Sequence, residues 1–470
     1  MRVRLLLVSL VALALAAPAF ADTFAKQDLT IAGQTGTPLA ATLYEPTSAP
    51  PAGGYPAIVM FHGLGGTRAS MNVLAEGFFA TQGYVVLTFD ARGHGQSGGL
   101  WGLDGPNENG DAQALHDFLA ARPEVNAKKI GAYGISLGGG AVWNSTAIGK
   151  VPWAAIVPEA TWTSLYDALF PQNLPKSGLI AQLGMLVPDA RTDPEILLRK
   201  PDAIAGTNLP DLHQLTDSRS VRGKLGSVTT PTLMLQGRRD FLFDVDQALA
   251  AFRELRGPKR LYLGDFGHAP STFASPDLEY RETEARQWFD RFLKDELNGI
   301  DKRPPIELAK SPFTGTVQYP AVPVTTRLVF RAGGGSVGTS GALVRSFALP
   351  KRRLETFGSA TVSTTLASGT ASAHVVAVLS AIAPDGSETV VSEGGVPAPA
   401  ATKPRKATIR LMDEVTALAA GSRLKLTLAG TSTAQSSGNL LYLFGNPLGS
   451  RVRIGKVTVT LSVLRTPVSR

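Results

Sequence analysis

The chain has 470 residues, no cysteine and a net charge of +8. Its length predicts two or three domains, and the missing cysteines exclude disulfides, thiolate metal sites and a thiol nucleophile. The basic residues are scattered, with only short clusters such as Lys351-Arg352-Arg353, so the charge points to solubility and not to nucleic-acid binding.

At the N-terminus, Arg2 and Arg4 precede an apolar run from Leu5 to Ala17, then Ala19-Phe20-Ala21. A basic start, a short apolar core and an A-x-A end predict a signal peptide over residues 1–21. The run is too short for a membrane span, which needs about 20 residues. No later segment is apolar enough, so a secreted or periplasmic protein without stable membrane insertion is expected.

From Tyr55 to Asn298, short apolar runs alternate with helical patterns. Leu39–Tyr44 suggests an antiparallel start. Strands are predicted at 57–61, 84–89, 130–133, 154–157, 232–235 and 260–263, and helices at 70–82, 110–121 and 278–296. Such alternation implies a mostly parallel sheet with helices on both faces. Residues 159–226 break the rhythm with six prolines and short helical patches, which predicts a cap above the strand ends. After Arg303-Pro304-Pro305 the pattern becomes period two, at 361–366, 375–382, 408–411, 424–428 and 456–464. This predicts an antiparallel β-sandwich. The expected division is 22–300 for the α/β domain and 301–470 for the sandwich.

Gly134-Ile135-Ser136-Leu137-Gly138 follows a predicted strand and opens a helical run. That context gives G-x-S-x-G its meaning: a strained strand-to-helix turn lifts a serine hydroxyl above the sheet. The serine needs a base. Of the six histidines, only His268 follows the last predicted strand of the sheet. The chain order serine, acid, histidine of an α/β-hydrolase sheet requires the base there. Asp240, directly after the strand 232–235, is the expected acid, with Glu159 after the preceding strand as its rival. Asp244 and Asp246 read as the cap and first turn of the next helix. The N–H of Leu137 and that of Leu64, in His62-Gly63-Leu64-Gly65-Gly66, are the expected oxyanion donors. His62 and the Asp90–Gly95 turn are read as scaffold. No side-chain cluster suggests a metal, and the glycine-rich loops lack a phosphate-binding lysine or dinucleotide spacing, so no cofactor is expected.

These motifs, His62-Gly63, Asp90-Ala91-Arg92-Gly93-His94-Gly95-Gln96-Ser97 and the turn at Ser136, are shared by many α/β hydrolases. Two later stretches, Ala383-Pro384-Asp385-Gly386-Ser387 to Glu393-Gly394-Gly395 and Ala420–Leu426, make the resemblance more specific. The mature chain resembles the Xaa-Pro dipeptidyl-peptidase-like and cocaine-esterase-like serine hydrolases. The resemblance implies an α/β-hydrolase domain followed by a jelly-roll sandwich. Two departures stand out: leucine, not the usual tyrosine, follows the nucleophile at position 137, and Leu64 occupies the place where some esterase members carry an oxyanion-binding tyrosine.

The expected activity is hydrolysis of a small-molecule ester or peptide through an acyl-enzyme on Ser136. A carboxylesterase needs only an apolar pocket, for which Trp162, Leu165, Tyr166, Leu169 and Phe170 are candidates at helical spacing. The alternative, an Xaa-Pro dipeptidyl aminopeptidase, must hold a free α-amine, for which Glu159 or Asp167 are candidates. A third expectation from another class is a surface- or glycan-binding protein with an inactive hydrolase domain.

Overall fold

A computed structural model describes residues 23–434 and 441–469. The expected leader, residues 1–21, lies outside them. Ten strands form one large sheet: β1 Phe24–Ala32, β2 Pro38–Pro46, β3 Tyr55–Phe61, β4 Val85–Phe89, β5 Val125–Ile135, β6 Ile156–Glu159, β7 Thr232–Gly237, β8 Lys259–Gly264, β9 Ile306–Ala309 and β10 Thr316–Tyr319. Their spatial order is β1-β2-β4-β3-β5-β6-β7-β8-β9-β10. The stretch from β4 to β9 is parallel, and antiparallel pairs close both edges. All seven residues of β3 are buried, as expected where helices cover both faces of a central strand.

The helices Pro106–Ala120 and Leu137–Ala147 contribute to one face, and Leu278–Leu293 packs on the other through Ala285, Trp288 and Phe289. The helix expected over residues 70–82 is instead a chain of short turns, including a wide one at Ala75–Phe79. Gly77 inside it lowers the cost of leaving α geometry.

The large sheet does not stop at the expected boundary of 300. β9 pairs in parallel with β8, and β10 pairs back on β9, so the sheet runs to Tyr319. The sandwich follows. One sheet contains Thr325–Ala332, Val457–Leu464, Ser359–Ser368, Arg451–Ile454 and Gly335–Gly338, with Arg405–Asp413 also paired to Ser359–Ser368. The facing sheet contains Ala342–Ala348, Arg423–Ala429, His374–Ile382 and Glu388–Pro397. Val362, Leu366, Val375, Leu379, Leu426 and Val459 fill the core between them. The cap carries four helices, Leu165–Leu169, Ser177–Leu183, Pro194–Ala205 and Leu209–Asp217, above the carboxyl ends of the strands. Among the described residues no helix is long and apolar enough to cross a membrane.

Candidate active site

β5 delivers the chain into a turn that few sequences tolerate. Ser136 sits at φ 56°, ψ −117°, a strained conformation for a residue with a side chain. A Cβ at Gly134 would lie 2.1 Å from the Gly138 carbonyl oxygen, and one at Gly138 would lie 2.1 Å from that of Phe61. Only glycine fits at either position, which is the physical content of the motif. The Ser136 N–H donates to the Glu159 carbonyl (2.9 Å), tying the turn to β6.

Ser136 Oγ is 3.0 Å from His268 Nε2, and His268 Nδ1 is 2.8 Å from Asp240 Oδ2. The sequence places Ser136 more than a hundred residues before Asp240 and His268, and the strand ends bring the three together. Asp240 is fully buried, while the His268 side chain keeps 20 % of its surface exposed. Asp240 Oδ2 also accepts the His268 backbone N–H (3.0 Å), and Oδ1 accepts those of Leu242 (3.0 Å) and Phe243 (2.9 Å). Phe243 and Phe273 set their edges against the imidazole at 5.3 and 5.1 Å between ring centroids. The arrangement places a hydroxyl, a base and an orienting carboxylate in series, as proton transfer from serine requires.

Leu64 and Leu137 border the cavity that opens at Ser136. Among the described residues, neither backbone N–H donates to a protein acceptor, as two groups aimed at a substrate oxygen would be. His62 Nε2 accepts the Ala91 N–H (3.0 Å), and its Nδ1 lies 2.8 Å from the Gly63 carbonyl. Burial holds its pKa down to about 4, so it is neutral and braces the loop. The turn after β4 is braced likewise, Asp90 accepting from Arg68 and from the Gln96 N–H.

The cavity holds about 130 Å³ and runs from Ser136 into the cap. Trp162, Leu165, Leu169, Phe170, Leu212 and Phe243 are among its walls. Trp162 donates its indole N–H to the Arg219 carbonyl (2.8 Å) and lies against Gly140, where a Cβ would meet the ring at 2.3 Å. Tyr166 departs from the expectation: the helix spans only Leu165–Leu169, and Tyr166 turns out to pack on Phe170 and His213.

Glu159 is corrected as a substrate-binding residue. Its side chain is fully buried on the far side of the sheet from the cavity. There it accepts from Tyr133 and lies 3.2 Å from Arg281, with Glu282 beside them. Burial raises its pKa, and its contacts are with this internal network on the side of the sheet away from the cavity. Asp167 is also absent from the cavity wall. It pairs with Arg222 at 3.2 Å on a separate, more polar surface.

The sandwich reaches the loop that carries Asp240. The Arg238 guanidinium is wholly buried and donates to Glu355, to the Val415 carbonyl (3.0 Å) and to the Ala309 carbonyl. Arg239 donates to the Val390 carbonyl (2.9 Å), and the Asp413 N–H donates to Asp244 (2.9 Å). Sequence reading missed Arg238 and Glu355, because nothing near either one marks a partner 117 residues away. Removing one member of a buried ion pair typically costs about 3–5 kcal/mol. Glu355→Ala should therefore lower both the melting temperature and the turnover. Full activity and stability in that variant would show that the contact carries neither.

A parallel sheet with a serine–histidine–aspartate series at its carboxyl edge, a cap and a C-terminal sandwich defines an α/β-hydrolase of serine-hydrolase type. The chain belongs to the X-Pro dipeptidyl-peptidase (S15) family, whose model matches residues 35–270, half of its length. A CocE/NonD family hydrolase from Staphylococcus aureus superposes with a TM-score of 0.74 over 94 % of both chains, at 13 % identity. An α-amino acid ester hydrolase superposes with a TM-score of 0.70 over 95 % of this chain and 98 % of that one, at 15 % identity. By sequence, a Pseudomonas aeruginosa protein is 36 % identical over 143 residues, 30 % of this chain and 36 % of that one. The quorum-quenching protein AidA of Acinetobacter baumannii is 33 % identical over 136 residues, 28 % of this chain and 43 % of that one. The match thus spans less than half the length of either relative.

Proposed function

We propose that this protein is an exported carboxylesterase for uncharged esters with an apolar acyl group. The observation that carries this reading is the cavity at Ser136, whose walls are almost entirely hydrocarbon. The acyl group lies in the cap cavity. Ser136 Oγ attacks the carbonyl carbon, and His268 takes its proton while Asp240 stabilises the imidazolium. The N–H groups of Leu64 and Leu137 receive the developing oxyanion. His268 returns the proton to the departing alcohol, then activates a water that releases the acid and restores Ser136. Export rests on the leader pattern of residues 1–21.

An aminopeptidase would have to pair a buried α-ammonium with a carboxylate. Glu159 and Asp167 face elsewhere, and Asp189, at the cap wall, is mostly exposed and bound to Lys200 at 3.0 Å. A cation moved into a hydrocarbon pocket without a partner is strongly disfavoured. The mature protein should therefore cleave p-nitrophenyl butyrate with a kcat/KM at least about 10²-fold above that for an Xaa-Pro p-nitroanilide, the size of penalty an unpaired polar group imposes. The reverse preference would make it a dipeptidyl aminopeptidase.

A further inference from the structure

The turn Asp240–Phe243 is too buried for water to complete its hydrogen bonds, so each backbone group needs a protein partner. The N–H of Phe241 goes to the Ala269 carbonyl (3.1 Å), and those of Leu242 and Phe243 go to Asp240 itself. The Phe243 carbonyl accepts from the Gln236 amide (2.6 Å). The carbonyls of Phe241 and Leu242 both accept from Lys176 Nζ, at 2.7 and 3.1 Å. Lys176 comes from the cap, at the start of the helix Ser177–Leu183, and is only 2 % exposed. A buried lysine spends its charge-assisted hydrogen bonds on the backbone immediately after the triad carboxylate.

We infer that Lys176 is a positioning residue for the catalytic acid: it locks the 241–242 turn so that Asp240 meets His268 in the productive geometry. The inference rests on the triad reading above. Asp240 makes four hydrogen bonds, two to the imidazole residue and two to the turn. If the turn drifts, the carboxylate follows it or releases it, and either outcome loosens His268. Desolvation lowers the Lys176 pKa, and the carboxylates of Asp244, Asp240, Glu414 and Glu393 oppose that effect. The cap thereby does more than wall the acyl cavity; it also holds the acid.

Two variants separate this role from simple packing. Lys176→Met keeps the length of the side chain and removes the donors. Lys176→Gln removes the charge but keeps two N–H groups for the carbonyls. Both are compared with the wild type at equal folded fraction, judged by near-ultraviolet circular dichroism and thermal unfolding. Lys176→Met should lower kcat about 30-fold with KM for the butyrate ester changed less than about threefold, the signature of lost transition-state geometry. The acid limb of its kcat/KM profile should move to lower pH, because a loosened carboxylate stabilises the imidazolium less. Mere removal of a nearby positive charge would move that limb upward. Lys176→Gln should recover most of the loss. Wild-type kcat in Lys176→Met, an upward or unmoved limb, or equal defects in the two variants would overturn the assignment. Ser136→Ala is run alongside: if it stays active, the triad reading itself fails, whereas an inactive Ser136→Ala with a normal Lys176→Met sinks only the positioning role.

Discussion

Ser136→Ala should lower ester turnover by about 10⁶ while leaving the fold intact, because loss of a triad nucleophile removes covalent catalysis altogether. The expectation is specific to this site. The turn at Ser136 is strained, but alanine has a Cβ of the same size and the flanking glycines are untouched, so the backbone can keep its shape. The buried face of the helix Leu137–Ala147 is likewise unchanged. What disappears is the oxygen 3.0 Å from His268 Nε2. A fluorophosphonate probe should label Ser136 alone, read by mass spectrometry of the digested protein, and the variant should take up none. Labelling at another serine, or turnover surviving in the variant with an unchanged melting curve, would remove the acyl-enzyme on Ser136 from the account.

Asp240→Asn should cost about 10⁴ in kcat, the usual loss when a triad carboxylate becomes an amide. The geometry shows why no rotation of the amide rescues it. Both carboxylate oxygens face two N–H donors: those of Leu242 and Phe243 on one side, the backbone and Nδ1 of His268 on the other. An NH₂ turned toward the first pair opposes the buried turn, which typically costs about 1–3 kcal/mol for groups left unsatisfied. An NH₂ turned toward the second pair forces Nδ1 to become an acceptor. The proton then sits on Nε2 and points at Ser136, so the imidazole cannot take the hydroxyl proton. Glu159→Gln makes the contrasting control. Its side chain lies behind the sheet with Tyr133 and Arg281, so it should alter stability and spare the ratio of ester to anilide cleavage. A 10⁴-fold loss for Glu159→Gln with near-normal Asp240→Asn would exchange the two acids.

Much of the framework is written locally and could be read without coordinates. The glycines at 134 and 138 encode the turn at Ser136 because no other residue fits there. His268 follows from chain order, and Asp240 from its place directly after β7. What escaped reading depends on partners far along the chain. Glu159 ends a strand as Asp240 nearly does, yet its side chain goes to the opposite face, where Arg281 waits on a helix 122 residues later. β9 is only four residues long and follows two prolines, too short a run to mark a strand, although its pairing with β8 extends the sheet. Tyr166 matched a helical spacing that the short helix Leu165–Leu169 does not sustain. Lys176 carries no local mark, because its meaning lies in two carbonyls 65 and 66 residues away.

The contact between Glu355 and residues 468 and 469 also reaches the loop that carries Asp240. Glu355 accepts the backbone N–H groups of Val468 and Ser469 and the Ser469 hydroxyl, while Arg238 donates to that same hydroxyl. Arg238 lies two residues before Asp240. The buried bracket around Asp240 thus draws on residues that leave the ribosome more than two hundred positions after it. The loop that carries Asp240 is thus braced by segments of the sandwich that lie more than a hundred and more than two hundred residues after it, and Glu355→Ala reads what that brace contributes to turnover.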